Sequence, residues 1–120
     1  MRKHFGTLFI VALICLALPT APALAQKLSF SIVTGGTGGV WYPLGGAIGG
    51  VIGKSVPNTD ATAEVTTAAI DNLKLLAAGK AGMAFAYDYH TVWANEGKIA
   101  ELSKKQPVRI VMGFCEQLLH

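Results

Sequence analysis

The stretch Gly-Gly-Thr-Gly-Gly-Val-Trp-Tyr, residues 35–42, constrains this chain more than any other. A strand-like run, Leu28 to Thr34, leads into it, and Pro43 opens a small-residue helix directly after it. Four glycines in five positions permit positive φ and let a backbone approach a ligand with no Cβ in the way. Proline fits the first helical turn, where its missing N–H has no partner to lose. Strand, glycine turn and helix N-terminus together form a ready site for a carboxylate or phosphate. Trp41 and Tyr42 add aromatic walls with polar tips. The competing reading is a tight turn whose glycines serve packing alone.

The first 25 residues read as a secretory signal peptide. Arg2, Lys3 and His4 form a basic head, Phe5 to Leu18 is an almost unbroken apolar run, and Ala23-Leu24-Ala25 supplies a small-x-small cleavage pattern. A membrane span needs about 20 apolar residues, and Pro19 and Pro22 interrupt this run early. A mature chain starting at Gln26 is therefore expected, with residues 26–120 enough for one small domain or part of a larger one. Of the 10 basic residues two leave with the signal, so 8 face 7 acidic ones and the net charge is +1. The isoelectric point near 9.0 thus belongs mostly to the leader and makes no case for nucleic acid. Of two cysteines, Cys15 leaves with the signal and Cys115 stays alone, so no intrachain disulfide is expected. Cys115 closes an apolar run and reads as a buried, inert thiol.

Along the mature chain, strand-like and helix-like segments alternate. Leu28 to Val33 is a largely apolar strand of the kind found in parallel sheets covered on both faces. Pro43 to Lys54 is a helix carrying glycine at 45, 46, 49, 50 and 53. Each interior glycine costs roughly 1 kcal/mol of helix propensity, so close packing on a sheet has to hold it. Its Gly-x-x-x-Gly spacing also occurs in membrane helices, but the run is too short to span. Val56 to Thr59 reads as a turn and Ala61 to Thr66 as a second strand. Thr66 or Thr67 is expected to cap a helix from Ala68 to Ala78, with Asp71 in its first turn and Gly79 at its C′ position. A third strand, Ala81 to Ala86, leads to Tyr87-Asp88-Tyr89-His90 and a helix that Gly97 stops. Ile99 to Gln106 reads as a polar surface segment and Val108 to Phe114 as a fourth strand. The pattern predicts an α/β fold with a mostly parallel sheet flanked by helices. Ligands of such sheets bind beyond the carboxyl ends of the strands, where residues 35–42, Thr66–Thr67 and Tyr87–Asp88 all fall.

Catalytic and cofactor motifs fail on spacing. Gly49 to Ser55 resembles a phosphate-binding P-loop, but its first glycine would have to stand where Ile48 is. Gly36-Thr37-Gly38 would need a further glycine at Trp41 to bind a dinucleotide. His90 is isolated and no metal-ligating cluster is visible. No serine sits in a nucleophile elbow. No enzyme, cofactor or metal is therefore expected. Asp71 reads as a helix-start charge and Asp88 as a cleft or cap residue.

These residues resemble the solute receptors of tripartite ATP-independent periplasmic (TRAP) transporters, in the TAXI subfamily. That family's Gly-Gly-Thr-Gly-Gly-x-Tyr/Trp-Tyr-Pro-x-Gly block stands here without a gap as Gly35 to Gly45. Its Thr-x-x-Ser-x-x-Asn-Leu block is similar to Thr66 to Leu73, and its Gly-x-Ala-Asp block, followed by an aspartate, to Gly79–Gly82 and Asp88. Two positions depart, since the family serine falls on Ala69 and the family aspartate on Gly82. Family receptors have two lobes, and this chain matches most of the first, so the resemblance also implies an N-terminal fragment.

The resemblance implies a type II periplasmic binding protein fold, first lobe only, located in the periplasm. The implied ligand is a small organic anion: an amino acid such as glutamate or glutamine, or a dicarboxylate. The implied partners are TRAP-type permease subunits, with the receptor a monomer when complete. The binding residues it implies, together with their position, are Thr34, Gly35, Gly36, Thr37, Gly38, Gly39, Trp41 and Tyr42, then Thr66, Thr67 and Asn72, then Tyr87 and Asp88. A ligand-sensing module of the same fold that signals rather than transports, and a fragment with no independent function, stand as the rival readings.

Overall fold

A computed structural model describes residues 26–102 and 104–114. The expected signal peptide and Cys115 lie outside the described residues. Three parallel strands, β1 (Leu28–Val33), β2 (Thr59–Glu64) and β3 (Met83–Ala84), form a sheet in the order β2-β1-β3. Three helices, α1 (Trp41–Ser55), α2 (Ala69–Ala77) and α3 (Asp88–Glu96), come after the strands in turn. This small α/β unit has the parallel sheet flanked by helices that the sequence pattern predicts. β1 pairs with β2 from Leu28–Thr59 to Val33–Glu64, and with β3 through Ile32–Met83 and Val33–Ala84.

Helix α1 lies directly on one face of β1 and β2, and its glycines set the distance. A methyl at Gly45 would stand 2.5 Å from Thr34 Cγ2, and one at Gly49 would stand 2.3 Å from the Ala61 carbonyl oxygen. Gly53 continues the same stripe one turn on, above Thr59, whereas Gly46 and Gly50 face open space. The Gly-x-x-x-Gly spacing therefore serves helix-on-sheet packing, as its sequence reading expects. A second cluster, Leu73, Ala94, Ile99 and Leu102 with Ile70, Ala86 and Val108 around it, packs α2 against α3 and the segment after it.

Both helix ends at glycine have the expected form. Gly79 is left-handed (φ 68°), with its N–H on the Leu76 carbonyl and Lys80 N–H on the Leu75 carbonyl. Gly97 (φ 74°) repeats the pattern, and in both a Schellman closure satisfies carbonyls that would otherwise be orphaned.

Several boundaries differ from the sequence reading, each for a physical reason. Helix α1 starts at Trp41, two residues before Pro43, because proline's fixed φ is accepted anywhere in the first turn. β2 starts two residues earlier than expected, at Thr59, since Asn58 takes the left-handed φ of 55° that turns the chain into the strand. β3 is two residues long rather than six. The segment Ile99–Gln106 is no mere polar surface: Ile99 and Leu102 are buried in the second cluster, where two apolar side chains outweigh the charged residues between them. Val108–Phe114 does not pair as a fourth strand, and Ile110, Val111 and Met112 stand exposed. Nor do the described residues cover β2 on both faces. Opposite α1, Asp60, Thr62 and Glu64 of β2 face solvent, with Ser31 Oγ donating to Glu64 Oε1 at 2.5 Å.

Two alanine substitutions test whether contact distance or helix propensity governs α1. Gly49→Ala has to move backbone, at an overpacking cost of about 1–3 kcal/mol, against a propensity gain of roughly 1 kcal/mol. A lower urea midpoint is expected for it. Gly50→Ala meets nothing and should raise the midpoint by the propensity term alone. Two variants shifting in the same direction would contradict the packing account.

Candidate functional site

The carboxyl ends of the three strands deliver three loops to one edge of the sheet. Beyond β1, Gly36 to Gly39 form an exposed turn in which Gly39 N–H donates to the Gly36 carbonyl at 3.0 Å. Gly35 beneath it is buried, with space for a Cβ only against Trp41 Cε3 (3.7 Å) and Ala68 Cβ (3.8 Å). The first and second loops therefore meet at Gly35. The third joins through Tyr87, whose ring lies 5.1 Å from that of Trp41; Phe85 packs on Trp41 from below at 5.8 Å.

None of the glycines at 35, 36, 38 and 39 has a positive φ, contrary to the conformational freedom expected of them. A Cβ at Gly36 or Gly38 would touch nothing within 4 Å. The fold thus demands glycine at neither position, through strain or through crowding. What their hydrogens preserve is open space above the loop backbone.

Helix termini supply the donors. Val40 precedes α1 and offers no side-chain cap, and Pro43, third in the helix, has no N–H. The Trp41 and Tyr42 N–H groups are left at the positive end of the dipole. Helix α2 also lacks the expected threonine cap: Ala68 holds the cap position, without a side-chain hydrogen bond into the helix. Ala68 adopts φ 85°, ψ −177°, a region that glycine favours and that costs another residue on the order of 1–3 kcal/mol. Its N–H donates to Thr66 Oγ1 at 3.2 Å, and its carbonyl accepts the Asp71 N–H at 3.0 Å. Helix α3 has no side-chain cap from its N-cap Tyr87 either, but its first residue, Asp88, accepts the Tyr89 N–H at 2.7 Å. Asp88 accordingly serves the start of its own helix.

Two of the expected binding residues have their polar atoms turned into the protein. Thr34 is fully buried and its hydroxyl donates to the Glu64 carbonyl at 2.7 Å. Asn72 is fully buried as well, donating to the Thr34 and Phe85 carbonyls. Thr66 is half-buried and its hydroxyl donates to Asn72 Oδ1 at 2.5 Å. Thr67 is exposed and donates to Asp71. Gly36, Thr37, Gly38, Gly39, Trp41, Tyr42 and Tyr87 remain as the groups presented at the strand ends.

A shallow concavity of about 320 Å³ lies at the start of α2, lined by Thr67, Ala68, Ala69, Ile70, Asp71, Lys74, His90 and Glu101. A larger one of about 460 Å³ lies between Ser29, Ser31, Thr62, Glu64 and Lys80, on the uncovered sheet face. It opens on the sheet face rather than among the three loops, and its Ser31 and Glu64 already satisfy each other. Gly82 also lines it and has no room for the aspartate of the resembled block, because a Cβ there would stand 2.5 Å from Phe30 Cδ2.

The sequence reading missed Ala68, Phe85 and the ring sequence beyond Tyr87. Tyr89 stacks parallel on Tyr87 at 5.4 Å and meets Trp93 edge-on at 5.2 Å. The Tyr89–Trp93 spacing of four residues on a helix carried that signal. An alanine with positive φ carries none.

Open donors at helix starts, set on the carboxyl edge of a parallel sheet, define a binding protein for small solutes of the periplasmic-binding-protein-like class. The chain belongs to the NMT1-like family, which matches residues 32–120 and whose members are solute-binding proteins rather than enzymes. A small-molecule ligand is implied by that membership.

Asp71 offers a test of the α2 start. The Thr67 hydroxyl first, and then the Lys74 ammonium at 3.0 Å, hold its carboxyl below the ordinary carboxylate range. A depressed folded value stabilises the fold above the unfolded pKa of about 3.9 and is lost as pH falls through the lower folded value. In Thr67→Val, a carbon-detected NMR titration should show the Asp71 midpoint rising toward the ordinary value. An unchanged midpoint would remove Thr67 as the cause.

Proposed function

We propose that this chain is the ligand-binding lobe of an extracytoplasmic TRAP-transporter receptor of the TAXI type. It is secreted to the periplasm through cleavage after Ala25 and passes a small organic anion to a membrane permease. An amino acid such as glutamate or glutamine, or a dicarboxylate, is the ligand class. The observation that carries the reading is the pair Gly36 and Gly38, which the fold itself does not require. Glycine there keeps a backbone surface bare, beside two helix starts without side-chain caps. A carboxylate is the group such a surface suits, since it accepts N–H bonds and is favoured by the dipole.

The magnitudes set what one lobe achieves. Two or three charge-assisted bonds contribute roughly 1.5–3 kcal/mol each, and a helix terminus adds about 0.3–1 kcal/mol at an exposed site. Association itself costs at least about 4 kcal/mol. The remainder corresponds to affinity in the millimolar range, about −4 kcal/mol. Low-micromolar affinity, about −8 kcal/mol, calls for a second lobe that closes over the ligand and excludes water. The exposed run from Ile110 to Phe114 suits a surface that such a lobe covers.

Gly36→Ala and Gly38→Ala separate binding from folding. Each should leave stability unchanged or raise it by about 0.4–1 kcal/mol, because alanine restricts the unfolded chain. Each should also abolish the amide shifts that millimolar glutamate or a dicarboxylate produces at residues 35–42 in the parent chain. Retained shifts with either alanine in place would sink the glycine-platform reading, and micromolar binding by this chain would sink the affinity argument.

A further inference from the structure

We propose that Asn72 is the positioning residue of this binding edge: its side-chain amide braces the ends of β1 and β3 and the β2–α2 loop into one arrangement without touching ligand. The inference rests on the receptor reading above and assigns that site its internal support.

The geometry is specific. Nδ2 donates to the Thr34 carbonyl at 2.5 Å and to the Phe85 carbonyl at 2.7 Å, while Oδ1 accepts the Thr66 hydroxyl at 2.5 Å. Only one orientation of the amide satisfies all three, because two carbonyl oxygens cannot donate. The side chain is fully buried, and both of its N–H groups are engaged. Thr34 immediately precedes Gly35, and Phe85 stands two residues before Tyr87, so the two carbonyls are the roots of the first and third loops. Thr66 in turn accepts the N–H of Ala68, the residue with the strained backbone. One amide therefore reaches all three loops.

The sheet itself cannot do this. β1 and β3 share only the Ile32–Met83 and Val33–Ala84 pairs. One step further the Thr34 N–H reaches the Glu64 carbonyl and the Phe85 N–H the Val33 carbonyl, and there the ladder ends, leaving the Thr34 and Phe85 carbonyls to another donor. An apolar residue at position 72 would fill the volume and spare the desolvation of a buried amide. Three short bonds to three chain segments fix a geometry that packing alone leaves loose. A strained residue such as Ala68 persists only where its surroundings over-determine it, and the Asn72–Thr66–Ala68 chain does so.

The test uses the full chain with L-glutamate as the probe. In the parent protein, the Asn72 side-chain protons should exchange slowly and show through-hydrogen-bond couplings to the Thr34 and Phe85 carbonyl carbons. These couplings should persist while glutamate shifts the amides of residues 35–42. Couplings that are missing, or that disappear as glutamate saturates, would make Asn72 something other than a brace and overturn the proposal. If glutamate moves no backbone amide, the receptor reading fails and the proposal falls with it; intact couplings would identify that failure. A second arm compares Asn72→Asp, the same shape without donors, with Leu102→Ala, which loosens the core away from the loops. At a temperature where both are folded by far-UV circular dichroism, Asn72→Asp should weaken glutamate binding about tenfold or more, the loss of one charge-assisted bond to ligand. Leu102→Ala should leave it within about twofold of the parent on the same scale. Equal losses in the two variants would reduce Asn72 to an ordinary core residue.

Discussion

The close approach of α1 to the sheet is the contact on which most of this structure depends. With Gly45 over Thr34 and Gly49 over the Ala61 carbonyl, the helix sits closer than any side chain would allow. That contact sets where its first turn ends up, immediately beyond the end of β1. The weak helix propensity of a segment with five glycines is thereby offset by packing. The same contact places Trp41 over Phe85 and within reach of Tyr87. Tertiary contact makes this helix, and the helix in turn brings the aromatic wall to the candidate binding edge.

The opposite side of the edge is held by polar atoms. Thr34 and Asn72 are both fully buried, and their bonds to Glu64, Phe85 and Thr66 tie the strand ends together where the last backbone ladder bonds, Thr34 N–H to Glu64 and Phe85 N–H to Val33, leave off. Buried polar groups cost free energy unless they are paired, so this network is stable only as a whole. Its loops leave the sheet at fixed spacing as a result. Backbone strain is concentrated in the same place: Ala68, beside Gly35, has the one positive φ among the non-glycine residues described apart from Asn58 in its turn.

Much of this was legible in the sequence, and the limits have physical causes. Alternation of apolar runs with glycine and threonine turns pointed to the parallel α/β order, because each element's period is a local property. The Gly45–Gly49–Gly53 stripe and the stops at Gly79 and Gly97 were readable for the same reason. Burial of Ile99 and Leu102 was not, since two apolar residues in a charged segment reveal their face only once α2 and α3 are packed. The run Val108–Phe114 has strand composition, but a strand exists only where a partner edge receives it. At the site, composition placed the three loops correctly at one end of the sheet. It did not distinguish polar residues facing outward from those facing inward, and Asn72 and Thr34 face inward. Whether a threonine caps a helix depends on a loop conformation that propensity does not encode, and Ala68 took the cap position instead.

The division of labour at the edge stems from what a parallel sheet offers. Its ladder bonds end with the strands, so the loops beyond need side-chain support, and helix starts there leave N–H groups unmatched. Side-chain caps would satisfy those donors and stabilise the helices. None of the three N-cap residues does so; in α3 the first-turn Asp88 accepts one N–H, while no described side chain meets the first-turn donors of α1 and α2. Those two helices are the ones that meet at Gly35, where the loop carries glycines that the fold does not need. Stability is thus left unclaimed at one place, and that place is where backbone donors, bare glycine surface and aromatic walls coincide. In the proposed reading, a solute carboxylate satisfies the donors without filling the glycine space with protein, and the interior network beneath keeps them in position for it.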